Sequence, residues 1–246
     1  MVISIRVKLR GGKTTIGSWM QLANADVAEM MGDAGFDWIC VDMEHSTITR
    51  SDLPDLFRAI SLGGTTPIVR LKVSDPDLAT EALEAGAEGI IAPNIYDPDQ
   101  VRELKNAMRY PPKGFRGLGY CRGNGYGKYY KDNLDFDPLI IPMIENATAI
   151  PMIPFIFQEG VDALFVGPYD LSASLGIAGQ FENTAYTHAL DQIKFYCKEY
   201  KVPLGIHQIE PDREALDRLR DEGFRFISYS GDILMLQNHL KDLDLE

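Results

Sequence analysis

Charged and polar side chains stand at or just after the ends of several short apolar runs in this sequence. The runs in question are FDWICVD, PIVR, LIIPMIE, ALFVGP and PLGIH, and the polar residues are Asp42, Glu44, His45, Arg70, Glu145, Asp170 and His207. A parallel β/α barrel places the carboxyl ends of all its strands on one face and builds its active site there. We therefore expect these scattered residues to meet in a single pocket.

Glu145 and Asp170 are the pair with the most specific chemistry, because each follows a run of otherwise apolar residues. Burying a carboxylate is costly unless a cation or hydrogen bonds compensate it. Two carboxylates from neighbouring strands offer oxygen ligands to a divalent metal that keeps water and binds a chelating substrate. The alternative is that one of them caps the next helix or pairs with an arginine.

Arg70 ends a predicted strand, where its guanidinium can bind a substrate carboxylate or a developing enolate oxygen. The alternative is a buried ion pair with Asp42 or Glu44, and both roles can coexist. His45 is the best acid–base candidate, because imidazole exchanges protons near neutral pH. A histidine that follows a strand, as His207 does, more often has a structural role than a catalytic one. His188 and His239 fall on predicted helices, where no chemical role is expected.

Two further segments have the composition of functional loops. The helix starts within PNIYDP and GPYDLSAS present backbone N–H groups that can hold an anion. The stretch between Tyr110 and Pro138 interrupts the regular alternation of elements, and loops of this length are usually functional or mobile. It forms either a lid, a subunit contact or a solvated loop, through Tyr120, Tyr126, Tyr129, Tyr130, Arg122, Lys128 and Lys131.

Strand and helix patterns alternate along nearly the whole chain, which predicts the elements that position these residues. The predicted strands are TTIGSWM, FDWICVD, TPIVRL, GIIAP, LIIPMIE, VDALFVGP, VPLGIH and FRFISYS, each followed by a helical segment. Apolar runs of this kind are typical of strands buried on both faces. They predict an α/β fold, a (β/α)8 TIM barrel formed by residues 1–246 as one domain. An open doubly wound sheet is the second choice, but its glycine-rich nucleotide motif after the first strand is absent.

Length and composition restrict the class of protein. A chain of 246 residues suits one such barrel, and a net charge of -12 argues against a nucleic-acid surface. The three cysteines form neither a zinc pattern nor a disulfide framework, which fits a reducing cytoplasm. No apolar run approaches the length of a membrane span, and the amino-terminal residues lack the features of a signal peptide.

Several motifs together resemble the class II pyruvate aldolases of the HpcH/HpaI type. They are GSWMQLANADVAEMMGDAGFDWICVDMEHS, PIVRL, GAEGIIAPN, YPPKGFRG, IPMIE and VDALFVGPYDLSASLG, and they occur in the family's order from about Ile16 onward. The resemblance implies a barrel of the phosphoenolpyruvate/pyruvate type that reversibly cleaves a 4-hydroxy-2-oxo acid to pyruvate and an aldehyde. It also implies homo-oligomers, hexamers built from dimers that exchange the last helix, here within GDILMLQNHLKDL.

The resemblance assigns roles to individual residues. Glu145 and Asp170 match the ligands of Mg²⁺, Mn²⁺ or Co²⁺, and Arg70 matches the arginine that stabilises the enolate. His45 matches the proton-transfer histidine of a D-x-E-H motif that includes Asp42 and Glu44, and Glu84 matches an acidic residue from a neighbouring subunit that orients this histidine. The remaining substrate contacts are expected from Trp19, Gly167, Pro168, Tyr169 and Asp170, with the backbone N–H groups of Gly167, Tyr169 and Asp170 holding the substrate carboxylate.

The chain departs from the family pattern at Met143, where glutamine is common two residues before the metal glutamate, and in GYCRGNGYGKYY, a region that usually contributes to the aldehyde side of the pocket. Two other functions therefore stay open. One is oxaloacetate decarboxylation, or a macrophomate-synthase-like formation of a carbon–carbon bond, from the same enolate. The other is a catalytically silent oligomeric barrel, which the joint presence of Glu145, Asp170, Arg70 and His45 disfavours.

Overall fold

The computed structural model describes residues 4–129, 131 and 134–243. Eight parallel strands pair in chain order, and the last pairs with the first to close a barrel. This confirms the predicted (β/α)8 TIM barrel. The strands are β1 Thr15–Met20, β2 Trp38–Asp42, β3 Thr66–Arg70, β4 Gly89–Ala92, β5 Leu139–Ile144, β6 Leu164–Val166, β7 Leu204–Gln208 and β8 Phe226–Gly231.

Helical segments follow every strand and surround the barrel. The α-helices are α1 Ile5–Arg10, α2 Ala25–Asp33, α3 Leu53–Leu62, α4 Pro76–Ala85, α5 Pro98–Met108, α6 Ile153–Gln158, α7 Pro168–Ser174, α8 Thr184–Tyr200, α9 Arg213–Asp221 and α10 Asp232–Lys241, with 3-10 turns at Arg122–Asn124 and Ala147–Met152. Their starts follow from local sequence. Asn24, Asp75 and Asp97 each accept a hydrogen bond from a backbone N–H of the first turn, which stabilises the helix end.

Helix α1, which the sequence patterns did not predict, lies at the amino-terminal end of the barrel. Its Ile5 and Leu9 are buried in the same apolar cluster as the residues of the barrel interior. Arg6 donates to both carboxylate oxygens of Asp162, at 2.5 and 2.9 Å, and Lys8 pairs with Asp37. Because Asp162 and Asp37 lie just before β6 and β2, these ion pairs fasten α1 across the end of the barrel opposite the strand carboxyl ends.

Aromatic rings fill the barrel interior between its two ends. Trp38 stacks on Phe226 with ring centroids 4.3 Å apart, and Phe226 contacts the edge of Phe165 at 6.0 Å. Phe165 in turn meets Trp19 at 5.9 Å in a T-shaped arrangement. Gly17 makes room for this packing, since a Cβ there would lie 2.0 Å from the Trp38 ring. The rings form a rigid floor beneath the carboxyl ends of the strands.

The structure refines two details of the sequence-based prediction. Strand β6 is shorter than the run VDALFVGP, and the next residues form α7, so Asp170 lies in the first turn of a short helix and not at a strand end. The run NATAIPMIPFIFQ forms a 3-10 turn followed by α6, as its two prolines suggest.

Within the described residues, no helix is both long enough and apolar enough to cross a bilayer.

Candidate active site

A cavity of about 430 Å³ opens at the carboxyl ends of the strands and brings most of the predicted site residues together. Of these predicted residues, the cavity is lined by Trp19, Asp42, His45, Arg70, Glu145, Gly167, Pro168, Tyr169 and Asp170, and it is also lined by His207. Glu44 contacts Arg70 just behind this surface. A volume of this size suits a small-molecule site.

Arg70 is the charge centre of the cavity. Its Nε donates to Asp42 Oδ1 at 2.8 Å and its Nη2 to Asp42 Oδ2 at 2.6 Å, and its Nη1 lies 3.3 Å from Glu44 Oε2. The guanidinium Cζ stands 4.5 Å from the centroid of the Trp19 ring. Burial acts to lower the pKa of Arg70, but its bonds to Asp42 and the charge of Glu44 outweigh this and raise the pKa. The predicted ion pair therefore exists, and Arg70 is a fixed cation at the cavity surface.

Asp42 organises the loop that leads to His45. Its Oδ1 accepts hydrogen bonds from the backbone N–H groups of Glu44 and His45, at 3.0 and 3.3 Å. Gln21 donates from one amide nitrogen to Asp42 Oδ2 and to the carbonyl of His45. Burial acts to raise the pKa of Asp42, yet the hydrogen bonds and charge of Arg70 hold it below its usual value. Asp42 is thus an ionised anchor for both Arg70 and the His45 loop.

His45 stands at the mouth of the cavity, with 56% of its side chain exposed. Its Nε2 lies 4.0 Å from Glu44 Oε2, longer than a direct hydrogen bond. Burial raises the pKa of Glu44, and Asp42 and Asp170 raise it further, while Arg70 opposes them. The imidazole is held through its backbone rather than its ring, so its ring nitrogens remain available to the cavity.

Glu145 directly follows β5 and is 4% exposed. Its Oε2 accepts a hydrogen bond from the backbone N–H of Asn94 at 2.8 Å. Gly167 provides the space for the carboxylate, since a Cβ there would lie 2.7 Å from Glu145 Cγ. Burial raises the pKa of Glu145 to about 7, and the nearby charges of Glu44 and Asp170 add to the effect.

Asp170 projects from the first turn of α7, next to the end of β6. The hydrogen bonds of this helix begin with the N–H of Leu171, which donates to the Gly167 carbonyl. The N–H groups of Tyr169 and Asp170, which precede it, have no partner within the helix. No side chain caps this end. The N–H of Gly167 instead donates to the Ile144 carbonyl at 3.2 Å. The Gly167 N–H thus already has a backbone partner, whereas those of Tyr169 and Asp170 have none within the helix, and the expected binding of a substrate carboxylate by these three groups stays a prediction.

Besides burial, the charge of Asp170 raises the pKa of both Glu44 and Glu145, and the charge of Glu44 also raises the pKa of Glu145. These shifts indicate unbalanced negative charge on this side of the cavity. A divalent cation would supply the missing charge. Within the described part of the chain, no cluster of three or more His, Cys, Asp or Glu side chains is arranged to hold a metal. The oxygen donors of Glu145 and Asp170 are of the type that a hard divalent cation takes, and such a cation would keep its other positions for water and a chelating ligand.

Other predicted residues lie away from the cavity. Glu84 is half-buried on α4 and does not line the cavity. The loop with the 3-10 turn Arg122–Asn124 packs against α4, and Tyr126 reaches Arg58 on α3. The described part of this loop does not line the cavity, which gives the lid interpretation no support. Tyr130 falls outside the described residues.

Sequence reasoning missed several residues that the structure places at the cavity. Gln21 follows β1 directly, and its position after an apolar run was the signal that could have found it. The apolar residues Phe165, Ile209, Ile233 and Leu234 gave no such signal. Met143, noted above as a departure, lines the floor and is 1% exposed. Cys40, in the apolar strand β2, is fully buried in the barrel interior.

Comparisons with known proteins agree with this geometry. Residues 15–238 match the sequence profile of a family described as HpcH/HpaI aldolase/citrate lyase. The chain is 34% identical to a hydroxypyruvate/pyruvate aldolase of Roseobacter denitrificans, over 98% of this chain and 95% of the relative. It is 33% identical to a 2-dehydro-3,6-dideoxy-6-sulfogluconate aldolase of Pseudomonas putida, over 96% and 93% of the two chains. A crystal structure of an HpcH/HpaI aldolase/citrate lyase family protein from Burkholderia cenocepacia J2315 superimposes with a TM-score of 0.90 at 32% identity, covering 98% of this chain and 97% of the other.

Proposed function

The chain belongs to the HpcH/HpaI aldolase/citrate lyase family, and on that premise we propose that it is a class II aldolase that reversibly cleaves a 4-hydroxy-2-oxo acid to pyruvate and an aldehyde. The observation that supports this most directly is the meeting, in one cavity, of the Glu145 and Asp170 carboxylates with the fixed cation Arg70. Two names among its relatives, hydroxypyruvate/pyruvate aldolase and 2-dehydro-3,6-dideoxy-6-sulfogluconate aldolase, describe the same class of carbon–carbon lyase.

In this proposal Glu145 and Asp170 hold a divalent cation, Mg²⁺, Mn²⁺ or Co²⁺. When bound, the cation polarises the 2-oxo group and lowers the energy of the enolate. The unbalanced negative charge around Glu145 supports this assignment, because a cation there would replace the proton that the buried carboxyl otherwise retains. The small side chain at position 167 supports it as well, because it gives the Glu145 carboxylate room beside α7.

Arg70 would stabilise the charge that develops on the substrate. Cleavage breaks the C3–C4 bond of the 4-hydroxy-2-oxo acid, and the electron pair moves onto the C2 carbonyl oxygen as pyruvate enolate forms. Asp42 already accepts hydrogen bonds from Nε and Nη2 of Arg70, and Nη1 lies 3.3 Å from Glu44 Oε2, so the two carboxylates fix the guanidinium plane. A fixed donor of this kind costs no reorganisation during the reaction.

His45 would move the protons. The C4 hydroxyl must lose its proton as the aldehyde carbonyl forms, and the C3 carbon of the enolate must gain one to become the pyruvate methyl group. An exposed imidazole at the mouth of the cavity can exchange protons with both groups and with solvent. The free N–H groups of Tyr169 and Asp170 would hold the substrate carboxylate, and Trp19 and Pro168 would restrict its orientation.

We further propose that the protein acts as a homo-oligomer, a hexamer as its family resemblance implies. Glu84 lies on α4 and does not line the cavity of its own chain, so any role at an active site requires a neighbouring subunit. The exposed apolar side chains Leu236 and Leu240 on α10 are consistent with the expected exchange of the last helix.

Exchange of the pyruvate methyl protons in D₂O, followed by NMR with and without added Mn²⁺ or Mg²⁺, tests the function without knowledge of the aldehyde. We expect exchange that requires metal and is lost in Glu145→Gln. Asp191→Asn, a carboxylate on the exposed surface of α8, is the matched control and should behave as wild type. Absence of exchange with every metal would refute the proposal.

A further inference from the structure

His207 is a cavity residue to which the proposed mechanism gives no task. It lies on β7, and its ring meets the Trp19 ring with centroids 5.9 Å apart and an interplanar angle of 67°. It belongs to the side of the cavity formed by β7, β8 and β1, away from Glu145. This side is mainly apolar, with Ile209, Ile233 and Leu234, and the amide nitrogen of its other polar residue, Gln21, donates to Asp42 and to the His45 carbonyl.

The hydrogen bond that His207 makes to the backbone determines its tautomer. Its Nε2 lies 3.1 Å from the carbonyl oxygen of Ser230, and a carbonyl oxygen can only accept. Nε2 therefore carries the hydrogen, and Nδ1 of the neutral ring carries a lone pair. Ser230 is itself buried and has a φ of 53°, a conformation that non-glycine residues rarely adopt.

Nδ1 of His207 is a hydrogen-bond acceptor on this side of the cavity that remains available. No described residue donates a hydrogen bond to it. Burial, together with the charge of Arg70, lowers the pKa of His207 to about 4, so the ring is neutral at pH 7. Nδ1 is thus a permanent acceptor in the working pH range.

We propose that His207 is a specificity residue, which accepts a hydrogen bond from a hydroxyl group of the aldehyde and makes the enzyme prefer uncharged hydroxyaldehydes to their deoxy analogues. The inference rests on the proposed aldolase function and adds the class of its aldehyde. An acceptor in a mainly apolar surface selects a ligand with a donor, because an unpaired buried polar group is costly. Among the described residues, Arg70 is the sole lysine or arginine lining the cavity, and the proposed function assigns it to the enolate oxygen, so a carboxylate on the aldehyde finds no second cation in this part of the cavity.

The test compares glycolaldehyde with acetaldehyde as acceptors for pyruvate, using the metal-loaded enzyme and kcat/KM for each. The ratio of the two values is compared between proteins, so the different intrinsic reactivities of the aldehydes cancel. We expect His207→Leu to lower the preference for glycolaldehyde by about threefold to tenfold, the usual effect of one neutral hydrogen bond. His188→Leu, the same change on the exposed face of α8, is the control and should leave the ratio unchanged.

Two polar variants separate the proposed role from a structural one. Asn at 207 can place an acceptor near the position of Nδ1, whereas Gln can reach the Ser230 carbonyl but leaves the Nδ1 position empty. We expect His207→Asn to retain the preference and His207→Gln to lose it. If both variants and His207→Leu slow the two aldehydes equally, His207 acts on the reacting oxygen or on the fold, and the inference is wrong.

The controls also distinguish this inference from the proposed function. If the wild-type enzyme exchanges pyruvate methyl protons, but substitution of His207 leaves the ratio of the two kcat/KM values unchanged, only the role of His207 is refuted. Wild-type enzyme without exchange would refute the aldolase itself. A rate with succinate semialdehyde above that with glycolaldehyde would overturn the assignment of an uncharged aldehyde.

Discussion

Arg70 and Asp42 lie next to each other at the ends of β3 and β2, joined by two hydrogen bonds of 2.6 and 2.8 Å. The register of β2 against β3 pairs the Cα positions of Asp42 and Arg70, so the ion pair is a direct product of this strand pairing. The pair has two effects at the site, because it orients the guanidinium and because Asp42 in turn holds the His45 loop.

Replacement of Arg70 should affect rate and stability together. Arg70→Ala removes the proposed oxyanion stabiliser, and we expect turnover to fall by at least about 100-fold. It also leaves Asp42 buried without its cation, which typically costs about 3–5 kcal/mol. Steady-state kinetics and chemical denaturation measure the two effects. Arg50→Ala breaks an exposed ion pair with Glu81 and should cost less than about 1 kcal/mol with no loss of rate; a similar cost at both positions would contradict the assigned role of the buried pair.

The raised pKa of Glu145 predicts that protons compete with the metal. Below pH 7 the carboxyl is increasingly protonated, so the apparent affinity for Mn²⁺ should fall about tenfold for each pH unit. Calorimetric titration between pH 5.5 and 8.5 measures this dependence. An affinity that does not change over this range would show that Glu145 is not a ligand.

The same shift has a consequence for stability in the absence of metal. The folded pKa of Glu145, about 7, lies above the ordinary value of 4.5, so the folded state binds more protons between these values and loses stability as pH rises through them. The difference corresponds to roughly 3 kcal/mol at pH 8. Glu145→Gln should therefore stabilise the metal-free protein at pH 8 and have little effect at pH 4. Denaturation curves at the two pH values check this, and a loss of stability at pH 8 would contradict it.

Gly167 should be intolerant of a side chain. A Cβ at this position would lie 2.7 Å from Glu145 Cγ and 2.9 Å from Glu145 Oε1, distances that force the carboxylate to move. We expect Gly167→Ala to weaken Mn²⁺ binding by at least tenfold, since a displaced ligand cannot meet the metal in the same geometry. Gly117→Ala, where a Cβ would meet nothing within 4 Å, is the matched control. Equal metal affinity in both variants would show that metal binding does not require the absence of a side chain at position 167.

His45 should matter for proton transfer more than for binding. We expect His45→Ala to slow exchange of the pyruvate methyl protons by about 100-fold or more, the usual contribution of a general acid–base residue. Pyruvate binding, measured by calorimetry with the metal-loaded protein, should change far less, because the ring is exposed and makes no close ion pair. His188→Ala serves as the control. Intact exchange in His45→Ala would assign the proton to another group.

Much of the barrel was predictable because its signals are local. Apolar runs of four to seven residues predict buried strands, and Asn, Asp and Pro at helix starts predict where the intervening helices begin. Once eight such units follow one another, the carboxyl ends of the strands must share a face, which is why Asp42, Arg70 and Glu145 were expected in one pocket and are found there.

Other features of the site arise from residues far apart in sequence, and no local pattern encodes them. Examples are the edge contact of Trp19 with His207, the hydrogen bond from His207 to Ser230 and the closure of the barrel end by α1. The position of Asp170 in a helical turn and the bond from the Gly167 N–H to Ile144 likewise depended on where β6 ends.

The sequence by itself determined the order of the eight strand–helix units, the residue types at the strand ends and the family to which the chain belongs, because each of these depends on neighbours along the chain. Only the tertiary structure decided which charges compensate one another. Burial and the proximity of Glu44 and Asp170 shift the pKa of Glu145, while Arg70 satisfies Asp42, and these interactions depend on distances through space that exist only once the barrel has closed.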